Sequence, residues 1–253
     1  MKIFDSHLHL SHCKDSFDFS SSFDYSGASC AFSRDEFMLQ KTLASQIESA
    51  NPHIHFFNLF AVHPQNPDID ELNTLQNLLE ADLIDAVGEC GFDFFTDEFK
   101  KMERKQEVCW ARQLELARAF DKPLVIHGRK CTDRFFRDYK MLRKLSGVMF
   151  HSWAGTLNEA RSLLERGVNA YFSFGKPLIN GKKSAVECVK ALPLERIFLE
   201  TDAPYQTLKG EEFTSPLQII DVYNKTCELR GIAMDELTET LYESMGGFYR
   251  VPL

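Results

Sequence analysis

The chain has 253 residues, 44% of them hydrophobic, enough to bury a full core. Its formal charge of −8 opposes an architectural nucleic-acid binder, whose affinity for the phosphate backbone rests on many cationic contacts. No run approaches the roughly 20 apolar residues of a membrane helix, Met1-Lys2-Ile3-Phe4 turns polar at Asp5-Ser6-His7, and the seven scattered cysteines show no C-x-x-C spacing, so a cytoplasmic monomer with reduced thiols and no membrane anchor is expected.

Short apolar and β-branched runs alternate with longer helical patterns from one end to the other, the signature of β-α units around a parallel sheet. The sequence predicts strands at residues 2–8, 27–32, 54–62, 83–89, 124–127, 147–151, 170–174 and 196–201. Eight is the number that closes a barrel, and about 250 residues is a usual length for one, so the expected fold is a single α/β domain, a (β/α)8 TIM barrel over residues 1–253. Between the strands, Ser33-Arg34-Asp35-Glu36 reads as a capping box ahead of Leu39, Leu43, Ile47 and Ala50 at helical spacing. A second box, Thr156-Leu157-Asn158-Glu159, opens a helix that stops at Gly167. Trp110, Leu114 and Ala117 face inward on another, Ser215-Pro216 starts a helix through Cys227, and Leu237, Leu241 and Met245 line the last. The first connection, residues 10–26, lacks helical periodicity and is expected to be a loop.

The chemistry begins at Asp5-Ser6-His7-Leu8-His9. Residues two apart on a strand face the same side, so His7 and His9 would present their imidazoles together near the C-terminal end of the first strand, where barrel active sites form. An isolated H-x-H is as often a pair of solvated histidines. Here, however, later apolar runs end in residues of the same kind: Glu89 on the fourth strand, His127 on the fifth, His151 on the sixth, Asp202 after the eighth. Four histidines and two carboxylates on one rim are poor core material, because carboxylates are almost never fully buried unless paired or bound to a cation. Imidazole with carboxylate suits Zn²⁺, Mn²⁺ or Fe²⁺, whereas Mg²⁺ prefers oxygen.

As a set, Asp5-Ser6-His7-Leu8-His9, Val62-His63-Pro64, residues 88–93 (Gly-Glu-Cys-Gly-Phe-Asp), Ile126-His127-Gly128-Arg129, residues 150–155 (Phe-His-Ser-Trp-Ala-Gly) and residues 200–204 (Glu-Thr-Asp-Ala-Pro) resemble the TatD family of metal-dependent deoxyribonucleases. The resemblance implies two divalent metal ions (Zn, Mn or Mg), the first held by His7, His9, Glu89 and Asp202 and the second by Glu89, His127 and His151, with Glu89 bridging. It also implies that Asp202 orients the attacking water or takes its proton, and that His63 contacts substrate. Two cations about 3.5–4 Å apart can activate a shared water and stabilise charge on a phosphoryl or carbonyl oxygen. The expected activity is thus a 3'-5' exonuclease-like phosphodiesterase or deoxyribonuclease acting on DNA or a small phosphodiester. The same metals would serve an ester or amide hydrolase of deacylase or lactonase type as the alternative.

Arg129 is placed to fork onto a substrate oxygen. Lys130, Arg134, Lys176, Lys182, Lys183 and Lys209 are expected on the same mouth, mixed with Asp93, Asp97, Glu98, Glu211 and Glu212 on comparable loops. Trp153 and Phe94 are positioned to stack on bases or to pack. His12, His53 and His55 read as surface or partly buried residues without partners. Phe213-Thr214-Ser215-Pro216 stands where the family usually has Arg-Asn-x-Pro, and Ser244-Met245-Gly246 where it usually has an Asn.

Overall fold

The computed structural model describes residues 1–13 and 23–251. Eight parallel strands follow chain order: β1 (Lys2–Leu8), β2 (Asp24–Ala31), β3 (Ile54–Phe60), β4 (Ala86–Asp93), β5 (Leu124–Arg129), β6 (Val148–Phe150), β7 (Ala170–Phe174) and β8 (Ile197–Leu199). Beyond β8 the chain returns to β1 through a bridge between Leu8 and Ala203. There the Asp202 N–H donates to the His7 carbonyl at 2.9 Å and the His9 N–H to the Ala203 carbonyl at 2.7 Å. This is the expected (β/α)8 barrel.

Helices α1 (Arg34–Ala50), α2 (Glu71–Glu80), α3 (Asp97–Lys101), α4 (Glu103–Ala119), α5 (Thr132–Leu142), α6 (Leu157–Glu165) and α7 (Lys183–Ala191) lie between strands, and α8 (Ile219–Arg230) and α9 (Met234–Tyr249) follow the last. The Thr156 box forms in both directions, Glu159 N–H to Thr156 Oγ1 at 3.2 Å and Thr156 N–H to Glu159 Oε2 at 2.7 Å. At α1 Ser33 caps Glu36 N–H at 3.3 Å, but the Glu36 carboxylate takes the Phe32 N–H instead of that of Ser33. Of the expected first loop, Leu10–His12 forms a 3-10 turn, and residues 14–22 lie outside the described part.

The strands have two apolar faces. The outer packs on the helices, with Trp110, Leu114 and Ala117 of α4 in that layer. The barrel interior is filled by Phe4, Phe57, Tyr171 and Phe198, and α9 plugs its N-terminal end with Met245, Phe248 and Tyr249. Tyr249 stacks on Phe57 at 4.0 Å and Tyr171 on Phe198 at 4.9 Å. Burial of these rings, at about 25 cal/mol per Å² of apolar surface, holds that end shut. Polar side chains are thereby left to the opposite, C-terminal end. Ser244-Met245-Gly246 belongs to the plug: Met245 is buried in it, and the Ser244 hydroxyl caps the Glu195 carbonyl at 3.2 Å.

Two strands differ from expectation in ways that matter for the site. β2 starts at Asp24, earlier than residue 27, and β4 runs from Ala86 through Asp93 instead of stopping at residue 89. Every residue of β4 is buried, Asp93 included, so Asp93 is a barrel residue and not a loop acid.

Candidate metal centre

Two ligand-type residues sit at faults in the sheet. The β1–β2 register shifts between Asp5 and Leu8, the stretch that carries His7, and the β4–β5 register shifts between Val87 and Cys90, the stretch that carries Glu89. Such irregularities re-aim a side chain out of strict alternation. His127 stands on β5, His9, His63 and His151 just past the ends of β1, β3 and β6, and Asp202 past β8. Asp202 adopts a left-handed backbone conformation (φ 55°). Such sparsely populated backbone geometry costs energy and clusters at functional sites.

Glu89 is the hub. Its Oε1 lies 3.6 Å from His7 Nε2, 3.4 Å from His9 Nε2 and 3.3 Å from His63 Nε2. Its Oε2 lies 3.0 Å from His151 Nε2 and 3.2 Å from His127 Nδ1. Asp202 Oδ1 is 3.6 Å from the Nε2 of both His7 and His9, and those two nitrogens are 3.3 Å apart. All six expected ligands are therefore brought together, and His63 joins them on Glu89. Three overlapping donor groups, His7–His9–Glu89, His7–His151–Asp202 and His63–Glu89–His127, each gather within a cation's reach.

An outer ring holds the imidazoles. His127 Nε2 faces Asp93 Oδ2 at 3.0 Å, His7 Nδ1 faces Cys30 Sγ at 3.4 Å, and His63 Nδ1 accepts the Gln65 N–H at 3.2 Å. Glu200 Oε2 lies 3.5 Å from His151 Nδ1, within ion-pair range but without hydrogen-bond geometry, and accepts the Ser173 hydroxyl at 2.5 Å. Buried Asp5 ties β1 to the segment past β8, accepting the Thr201 N–H at 2.9 Å and hydroxyl at 2.6 Å. Gln206 donates to Asp202 Oδ2 at 2.9 Å. These partners orient ligands and set tautomers. From the sequence Asp93 is expected among the acids of the mouth loops, and Glu200 and Asp5 stand within motifs without a role of their own.

The electrostatics favour a cation. Burial alone would raise Glu89, but His151, His63 and His7 and the hydrogen bond from His127 hold it well below the usual carboxylate range. Burial pushes His7 down, His151 adding to it, which leaves a neutral imidazole suited to ligation. Burial works against protonation of His151 as well, yet Glu89 and Glu200 outweigh it and draw positive charge to that spot. Imidazole nitrogens and anionic oxygens facing one another, with His9 Nδ1 lacking a hydrogen-bond partner among the described residues, fit one or more divalent ions of the Zn²⁺ or Mn²⁺ kind.

The cluster forms the floor of a cavity of about 740 Å³ lined also by Arg129, Lys182, Phe32, His12 and Tyr205. Arg129 sits at its rim, its guanidinium 4.0 Å from the Phe95 ring and 4.0 Å from Asp93 Oδ2. Not all expected cations reach the mouth. Lys176 is 1% exposed and clasped by Glu211, Thr214 and Gln218, and Arg134 is paired with Glu103 and Glu107. The Phe213-to-Pro216 segment thus supplies an anchor for Lys176 through Thr214. Trp153 packs between Phe150 and Phe172, and is 5% exposed, so it does not stack on bases. Phe94 packs against the core from the barrel edge. His12 has partners after all, Glu36 at 3.0 Å and the Tyr205 hydroxyl at 2.9 Å, and His55 lies 3.3 Å from Glu48.

Comparison with known proteins places this geometry. The family model described as TatD related DNase matches residues 4–250. The chain is 31% identical over 170 residues to the uncharacterized metal-dependent hydrolase YjjV of Escherichia coli (strain K12), covering 66% of this chain and 64% of that protein. It is 33% identical over 151 residues to the 3'-5' ssDNA/RNA exonuclease TatD of Pantoea sp. (strain At-9b), covering 57% of this chain and 56% of that one. In these matches the chain spans less than two-thirds of its relatives' length. The crystal structure of YjjV superposes with a TM-score of 0.81 at 25% identity, over 99% of this chain and 98% of that one. Among the described residues, no helix is long and apolar enough to cross a membrane.

Proposed function

Because the chain belongs to the TatD-related DNase family, whose members include metal-dependent hydrolases, we propose that it hydrolyses phosphodiesters, in the manner of a 3'-5' exonuclease on single-stranded nucleic acid. His7, His9, Glu89 and Asp202 would hold one divalent ion, and Glu89, His127 and His151 a second.

One observation carries this reading: the two oxygens of Glu89 are divided between two sets of imidazoles, Oε1 toward His7 and His9, Oε2 toward His127 and His151. A carboxylate shared in that way is the geometry of a bridge. Bound divalent ions would supply Lewis-acid polarisation of the phosphoryl oxygen and a water acidic enough to attack near neutral pH. The chain's own residues do the rest. Asp202 keeps Oδ1 toward the cluster while Gln206 holds Oδ2, so Oδ1 is the base that takes the proton of the attacking water. Arg129 and Lys182 line the cavity and offer positive charge to a phosphate, which favours a phosphodiester over an ester or amide. The relative named 3'-5' ssDNA/RNA exonuclease supports the same substrate class.

The test is a metal-stripped preparation reconstituted with Mn²⁺, Zn²⁺ or Mg²⁺ and assayed on end-labelled single-stranded DNA, a chromogenic phosphodiester, and an ester and amide panel. Nucleotides released from the 3' end, lost in Asp202→Asn, are expected. Cleavage that needs no metal, or turnover confined to esters and amides, overturns the reading.

A further inference from the structure

On one side of the cavity three side chains from distant parts of the chain form a row of polar contacts. Tyr205, just past β8, places its hydroxyl 2.9 Å from His12 Nδ1, and His12 Nε2 lies 3.0 Å from Glu36 Oε1 at the start of α1. Glu36 is itself fixed, accepting the Ser11 hydroxyl at 3.0 Å and the Phe32 N–H at 2.9 Å. A third cation shared by His9, His12 and Glu36 is the competing account of this cluster, and the geometry speaks against it. The His9 and His12 rings are stacked 13° from parallel with centroids 5.5 Å apart, so their lone pairs lie in near-parallel planes and do not converge. Both oxygens of Glu36 already face protein donors.

The row has a direction. Glu36 can only accept, so the His12 tautomer that carries its proton on Nε2 faces it and accepts at Nδ1 from the Tyr205 O–H. The Tyr205 oxygen keeps its lone pairs for a donor outside the protein. Its ring stands edge-on to His9 at 5.3 Å, beside the metal cluster, and the residue is 49% exposed. Phe32 meets His12 at 5.9 Å and completes an aromatic wall. The cavity lining therefore combines two cations, Arg129 and Lys182, with an aromatic wall that carries an acceptor at Tyr205.

We propose that Tyr205, positioned by His12 and Glu36, binds the nucleoside adjoining the scissile phosphate by accepting a hydrogen bond from its free sugar hydroxyl, with Phe32 against the flat base. The inference rests on the phosphodiesterase reading for its substrate class, but its test does not depend on turnover. Binding of a nucleoside 5'-monophosphate to the metal-loaded protein is measured by calorimetry, with a 3'-hydroxyl or with hydrogen in its place. The hydroxyl is expected to tighten binding about tenfold, the scale of one well-made hydrogen bond in a partly desolvated site. That ratio should fall to about one in Tyr205→Phe and in His12→Ala, and be retained in Glu36→Gln, whose amide oxygen still accepts from His12. Equal binding of the two nucleotides by the wild type, no binding of either, or a ratio unchanged in Tyr205→Phe overturns it. In parallel, cleavage of a dinucleotide tests the parent reading. A hydroxyl preference in binding without dinucleotide cleavage would remove the phosphodiesterase and leave the nucleoside site standing.

Discussion

Asp93 Oδ2 lies 3.0 Å from His127 Nε2, so this imidazole is pinned from behind while its Nδ1 looks at Glu89 Oε2 from 3.2 Å. Burial would raise Asp93, but the hydrogen bonds from His127, Gln65 and the Phe95 N–H hold it at about 2. It stays an ionised acceptor at any working pH. Asp93→Asn is expected to weaken metal affinity 10- to 100-fold, the usual effect of losing an outer-shell partner. Competition against a chelator of known affinity measures it. Unchanged affinity would mean that His127 needs no anchor.

Ligand substitutions separate a bridge from two independent sites. Elemental analysis after reconstitution should give two ions in the wild type and one in His151→Ala, with Glu89→Gln losing both. Two ions retained by Glu89→Gln would remove the bridging role, whatever happens to activity.

Gly91 packs β4 tightly against the His127 backbone of β5. Its φ of 137° is open to glycine alone, and a Cβ there would run into the carbonyl oxygen of His127. Gly91→Ala should destabilise the protein by about 2–3 kcal/mol and lower its metal content at the same time. Urea denaturation with metal analysis reads both. Wild-type stability in this variant would show that the strands part without cost.

Away from the site, the buried Trp110 indole donates to Asp138 Oδ2 at 2.9 Å, and Arg137 pairs with the same carboxylate. Burial raises Asp138, but the bonds from Arg137 and Trp110 prevail and hold it below its ordinary value. A carboxylate lowered on folding contributes stability that is fully present above its unfolded pKa and lost as pH falls through the folded one. Asp138→Asn should therefore melt below the wild type at pH 7, and the gap should close in acid below the ordinary carboxylate range. Thermal melts across pH check this, and a gap constant with pH would contradict it.

The six clustered residues were legible in the sequence because two form an H-x-H on one strand and the others follow apolar runs, and barrel strands bring such positions to one rim. What was illegible depended on register and on distance along the chain. The stop placed at residue 89 hid Asp93, because β4 continues through Gly91 beside β5. His12, Glu36 and Tyr205 are separated by 24 and 169 to 193 positions, beyond any local spacing rule. Lys176 and Arg134 read as mouth cations because a sequence shows charge but not the partner that neutralises it.

The seam between Leu8 and Ala203 also has a consequence in time. His7 lies on β1, His9 just past it and Asp202 beyond β8, whereas Glu89, His127 and His151 come from the elements between. One half of the proposed centre can take shape on a partial barrel. The other exists only once β1 has met the segment beyond β8, so ion uptake there would report closure of the ring.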